Sequence, residues 1–188
     1  MSTQPQTPAR MSVEEFLAWA EGRPGRHELF GGEIVAQASE RAAHWERKLA
    51  THVALLRAVR AKGLSCHVVP DGATVRIDPW TAYEPDAMVY CGPKSPPSSL
   101  LVENPVVVVE ILSPSTERVD RRRKLADYFR LPSVAHYVIV DPDEVLVIHH
   151  QRQGADVLTR LLRDGTIRLD PPGIEVTVAE IYGAGEPP

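Results

Sequence analysis

The run Pro105-Val106-Val107-Val108-Val109-Glu110-Ile111-Leu112 leads without pause into Ser113-Pro114-Ser115-Thr116-Glu117-Arg118-Val119-Asp120-Arg121-Arg122-Arg123-Lys124. Four consecutive valines read as a strand buried on both faces. Glu110 sits near the end of that strand, where a carboxylate is costly unless it is paired or holds a metal. Ser113-Pro114-Ser115 ends the strand. A basic helix is expected from about Thr116 to Arg130, with Pro132 just beyond it. That helix carries Lys124.

Upstream, Ser12-Val13-Glu14-Glu15 has the form of a capping box and predicts a short helix ending near Gly22. His27 to Phe30 and Glu33 to Ala36 flank Gly31-Gly32, a turn that accepts positive φ at both positions, and so predict a hairpin. Glu40 to Lys62 predicts the longest helix, with Ala43, Leu49, Val53, Leu56 and Val59 on its core face and Gly63 as its stop. Leu64 to Val69 and Ala73 to Ile77 read as strands, Asp78 to Glu84 as a loop, and Asp86 to Tyr90 as a strand that begins with its acid. After the basic helix, strands are expected over 135–141, 145–150, 157–162, 167–169 and 174–178. The expected architecture is a mixed α/β (α+β) domain over 11–182, with a central mixed sheet between helices, an N-terminal helix and hairpin, and C-terminal strands. Residues 1–10 and 183–188 are expected to be flexible tails.

The chain has 188 residues and a formal net charge of -4, which argues against a generic polyanion binder. Binding to nucleic acid would then need a local basic patch or a metal. Cys66 and Cys91 have no paired spacing, which points to a reducing compartment and away from a zinc cluster. No secretory leader or long apolar span is legible, so the cytoplasm is expected and a membrane is not.

Glu84-Pro85-Asp86 places an acid at the start of one strand, and Glu110 stands near the end of another. If the strands are neighbours, the carboxylates meet at one end of the sheet. A shared proton or a divalent cation resolves their repulsion. Oxygen ligands suit Mg²⁺ or Mn²⁺, and the Ile111 carbonyl offers a third ligand. Lys124 is positioned to orient a water or to neutralise a phosphate. The plainer alternative makes Asp86 a turn acid and pairs Glu110 with an arginine.

These motifs resemble the PD-(D/E)xK nuclease superfamily and, more closely, the Uma-two family of restriction-endonuclease-like proteins. The residues that carry the resemblance are Met11 to Phe16, His27 to Glu33, His44, Glu84-Pro85-Asp86, Val109 to Ser115, Asp120, Lys124, Tyr128, and His136 to Pro142. Together they span nearly the whole chain. The resemblance implies a nuclease core with Asp86 and Glu110 as metal ligands. The superfamily lysine two residues after the glutamate is replaced by Leu112, and Lys124 on the next helix matches the displaced position. Arg123 is its neighbour but points about 100° away on a helix.

The resemblance also nominates Glu28 as a further acid of the site, against the reading of an exposed hairpin acid. His44 is a candidate contact to a phosphate or water. His52 is read as core or solvent, and His149-His150 points two ways along a strand. Tyr128 is expected mainly to pack on the sheet. Arg121 and Arg122, with Arg118 and Arg123, form either a contact surface for DNA phosphates or a solvated face balanced by Glu117, Asp120 and Asp127. Ser113 and Ser115 lack a nucleophile elbow and are read as helix caps.

The reading is a Mg²⁺- or Mn²⁺-dependent endonuclease acting on nucleic acid, expected to be DNA. Asp86, Glu110, Lys124 and Glu28 form its site, and a homodimer or higher homo-oligomer is expected. The rivals are a catalytically silent binding module with the same fold and a hydrolase of small phosphate esters.

Overall fold

The computed structural model describes residues 10–112 and 118–183, without the side chains of 118–121. The expected tails, apart from Arg10 and Gly183, and the caps Ser113 and Ser115 lie outside the described residues. The chain runs α1 (Val13–Ala20), β1 (His27–Phe30), β2 (Glu33–Ala36), α2 (Ala42–Ala61), β3 (Cys66–Pro70), β4 (Val75–Asp78), β5 (Thr81–Tyr83) and β6 (Ala87–Cys91). It continues through β7 (Pro105–Ile111), α3 (Arg118–Tyr128), β8 (His136–Val140), β9 (Val147–Gln153), β10 (Asp156–Leu162), β11 (Thr166–Leu169), β12 (Ile174–Thr177) and α4 (Val178–Tyr182).

The valine strand β7 lies inside a six-stranded sheet of order β10-β9-β8-β7-β6-β3. Val107, Val109 and Ile111 pack with Ala54, Leu55 and Val59 of α2 on one face. Val108 packs with Tyr128 of α3 and with Tyr137 on the other. Burying each such side chain contributes roughly 1.5–3 kcal/mol. The β7–β8 pair is parallel, as the α3 crossover requires, and the other pairs are antiparallel. The expected mixed sheet between helices is therefore present.

A second sheet, β2-β1-β5-β4, carries the predicted hairpin. Gly31 and Gly32 have φ of +57° and +87°, as a tight turn between twisted strands needs. A Cβ on Gly32 would also come within 2.6 Å of the Arg10 Cβ. Helix α1 forms behind its capping box and buries Val13 and Phe16 against Leu29 and Ala82.

Four expectations change. The loop expected over 78–84 contains β5, because Asp78 accepts the Trp80 amide at 2.9 Å and turns β4 back on itself. The strand expected to reach Val178 ends at Thr177, which caps α4 with Glu180, while Gly183 closes that helix in the left-handed region. The core face of α2 comprises His44, Lys48, Thr51, Ala54, Leu55 and Val59, and Leu49 is 63% exposed. The first half of α2 covers a polar end of the sheet, so its charged residues are buried in place of its leucine. Finally, Cys66 and Cys91 stand opposite each other on antiparallel strands and form a disulfide. A long sequence separation hid this pairing.

His149 turns inward to His136, with 2.9 Å between Nε2 and Nδ1, while His150 meets Thr159 Oγ1 at 2.7 Å. Burial, with the charges of His136 and Arg160, pushes His149 down to about 4. Burial also lowers His136. Unfolded histidines protonate near pH 6.5, so the unfolded state binds more protons as the pH falls from about 6.5 to about 4. Stability is expected to drop across that window, by up to about 3 kcal/mol from His149. Denaturation of wild type and His149→Gln at several pH values checks this: the variant should show the shallower acid limb, and parallel limbs would refute it.

Candidate metal centre

The antiparallel pairing of β6 and β7 sets Ala87 opposite Val109, so Asp86 and Glu110 stand at the same end of the sheet. The Asp86 amide donates to the Val109 carbonyl at 3.0 Å, and Asp86 Oδ2 accepts the Ile111 amide at 2.7 Å. Strand pairing thus brings the two residues to one end of the sheet. Their side-chain partners differ. Asp86 faces α2, where Lys48 Nζ lies 3.2 Å from Oδ1, and Arg26 reaches the same oxygen at 3.4 Å. Glu110 faces α3.

Lys124 Nζ donates to Glu110 Oε1 at 3.1 Å and to Glu28 Oε1 at 2.9 Å. The lysine is only 3% exposed, and the Tyr83 ring lies 5.1 Å from its ammonium. Arg123 is exposed and stacks over the Phe30 ring at 3.7 Å. The helical phase therefore turns Lys124 inward and its arginine neighbour outward. Leu112, in the usual lysine position, donates its amide to Val140 and packs with the α3-side core. Glu28 is a buried member of the site, 6% exposed, and also accepts the Glu84 amide at 3.1 Å.

Burial raises the Glu110 carboxyl to about 7; Lys124 opposes the shift, and the negative charges of Asp86 and Glu28 reinforce it. Tyr128 does more than the packing expected of it, because its buried hydroxyl donates to Glu110 Oε1 at 2.7 Å. Burial and the Glu110 charge push that hydroxyl well above its ordinary range.

Residues that the sequence reading did not nominate complete the cluster. Lys48 Nζ donates to Glu40 Oε1 at 2.7 Å and Asp71 Oδ2 at 2.6 Å. Arg26 pairs with Glu40 and, at 2.9 Å, with Glu84. Burial opposes ionisation of Glu40 and Lys48, yet their mutual hydrogen bond and its neighbours leave Glu40 lowered and Lys48 raised. Among the described residues, six carboxylates (Glu28, Glu40, Asp71, Glu84, Asp86 and Glu110) here meet three cations (Arg26, Lys48 and Lys124). That surplus of negative charge suits a bound cation.

His44 is buried, with Nε2 at 3.0 Å from the Ile111 carbonyl. Arg122 is exposed on α3, and the Arg121 side chain lies outside the described residues.

A family model described as "Putative restriction endonuclease" matches residues 13–179. The chain belongs to the Uma2 (Uma-two) family. An uncharacterized protein of Synechocystis sp. (strain ATCC 27184 / PCC 6803 / Kazusa) is 28% identical over 176 residues, covering 92% of each chain. A second uncharacterized protein of that organism is 26% identical over 147 residues, covering 77% of this chain and 82% of its own. The fold is similar to a crystal structure from Anabaena variabilis described as "a putative nuclease belonging to DUF820", with a TM-score of 0.71 at 15% identity. That match covers 92% of this chain and 98% of the other. Family and fold are thus nuclease-like, as the motifs implied.

In this Uma2 chain Lys124 is the counter-ion of two buried acids. Replacing it by methionine should leave Glu28 and Glu110 unpaired and cost about 3–5 kcal/mol. Tyr128→Phe removes one hydrogen bond to Glu110 and should cost about 1–3 kcal/mol. Urea denaturation orders the two; a Lys124→Met protein as stable as wild type would refute this account of the pair.

Proposed function

We propose that the chain is a Mg²⁺- or Mn²⁺-dependent nuclease that hydrolyses phosphodiester bonds in DNA. One observation carries the reading: a buried lysine from the helix lies 3.1 Å from Glu110, at the strand end where Asp86 also stands. The donors suit a hard divalent ion, since Asp86, Glu110 and the Ile111 carbonyl offer oxygen alone. An ion bound there would supply a polarised phosphate and a water of lowered pKa. Lys124 contributes a fixed ammonium that can orient the attacking water or donate to a phosphate oxygen. Glu28 keeps that ammonium in place from the far side, and Tyr128 fixes the Glu110 carboxylate. The exposed Arg122, with Arg121 beside it in sequence, supplies phosphate contacts that hold a duplex without reading its bases. The reading extends to a homodimer or higher homo-oligomer, because a duplex offers two strands to cut.

The ion pairs that already engage Asp86 and Glu110 favour one rival, a catalytically silent module that keeps the fold. Plasmid and oligonucleotide cleavage with Mg²⁺, with Mn²⁺ and with chelator separates the two. Wild type should cut only with metal, and Asp86→Asn and Glu110→Gln should each lose at least about a hundredfold in rate. Equal behaviour of wild type and both variants on every nucleic acid would sink the nuclease reading. Cleavage confined to aryl phosphates would redirect it to small esters.

A further inference from the structure

His44 has an arrangement that the nuclease reading does not use. Its Nε2 lies 3.0 Å from the Ile111 carbonyl. A carbonyl oxygen only accepts, so Nε2 carries the hydrogen and donates. In the neutral ring Nδ1 is then a bare lone pair. That atom is buried and has no hydrogen-bond partner. It lies 3.3 Å from Glu40 Oε2, one helical turn before it in sequence. The Nδ1 edge of the buried ring thus faces a carboxylate oxygen of Glu40. Arg26 and Lys48 engage the other oxygen, Oε1, of the same carboxylate. Asp86 Oδ1 is held by the same two cations, and its Oδ2 lies 3.8 Å from His44 Nε2. One ligand atom from each of Glu40, His44 and Asp86 can be chosen so that all three lie within 4.8 Å of one another.

We propose that Glu40, His44 and Asp86 form a second cation site that selects a first-row transition ion such as Mn²⁺ over Mg²⁺. The site shares Asp86 with the nuclease reading but stands without it. Two features of the ligands argue for the selection. Imidazole nitrogen suits first-row transition ions, the later ones most, and the mixed oxygen–nitrogen set admits Mn²⁺, whereas Mg²⁺ holds to an all-oxygen shell. A metal-binding histidine also usually donates its other ring N–H to a carbonyl or carboxylate, which fixes tautomer and orientation. His44 already does so through Ile111. The hydrogen-bonded carbonyl belongs to the residue after Glu110, so occupancy of this site bears on the strand end where the nuclease site is proposed.

The test needs no nucleic acid. The full chain, freed of metal with chelator, is titrated with Mn²⁺ and separately with Mg²⁺, alongside His44→Gln, Glu40→Gln and Glu110→Gln. Wild type is expected to bind Mn²⁺ at least about tenfold more tightly than Mg²⁺. His44→Gln should lose that preference and Glu40→Gln should weaken Mn²⁺ by about tenfold or more. Glu110→Gln should keep the preference even if it abolishes cleavage, which separates failure of this site from failure of the nuclease reading. Pulsed electron paramagnetic resonance of Mn²⁺-loaded wild type should show coupling to imidazole nitrogen, a readout independent of how well any variant folds. Absence of nitrogen coupling, or equal affinity of wild type for Mn²⁺ and Mg²⁺, would overturn the proposal.

Discussion

The structure depends on charge balance at one closed end of a sheet. Six acids among the described residues converge there, and no single element supplies the cations that hold them. Arg26 comes from the residue before β1, Lys48 from α2 and Lys124 from α3. Removing water from a carboxylate costs several kcal/mol unless an opposite charge replaces it. Each cation therefore fixes the element that carries it. The hairpin is tied in through Glu28, and the loop before β6 through Glu84, whose amide meets Glu28 and whose carboxylate meets Arg26. Hydrogen bonds and ion pairs run without a break from Asp71 beside α2 to Tyr128 on α3.

Much of this was readable before the structure, where local signals and tertiary demands agree. The valine run, the Gly31-Gly32 turn and the Ser12–Glu15 box each specify backbone geometry on their own. Asp86 and Glu110 stood out because acids at the ends of apolar strands need a reason. Lys124 followed from the family likeness, and helical phase separated it from Arg123. What stayed hidden is the polar half of the core. Arg26, Glu40 and Lys48 read as ordinary surface charges, because burial of an ion pair leaves no periodic apolar mark. A periodicity search on α2 rewarded Leu49 and passed over Lys48, and the structure reverses the two. The clearest clue was available: a histidine and a lysine four residues apart, His44 and Lys48, on the helix preceding the acids.

The β5 strand was missed for another reason. Asp78-Pro79-Trp80 looks like the start of a loop, and an Asp side chain that caps its own turn can equally begin a hairpin. The likeness to the Anabaena variabilis structure, at 15% identity, is one of fold. A fold can persist while most side chains differ.

The disulfide between Cys66 and Cys91 gives the site an unusual frame. It joins the first residue of β3 to the last residue of β6, and β6 opens directly after Asp86. The chain between the two cysteines holds β3, β4, β5, Glu84 and Asp86, so these share one covalent ring closed at the sheet's edge. An edge strand can ordinarily peel away and expose its neighbour. Here β3 cannot leave without pulling on the strand that Asp86 begins. Three of the acids in the cluster, Asp71, Glu84 and Asp86, are thus carried on a hoop, and the outermost strand serves as its rim.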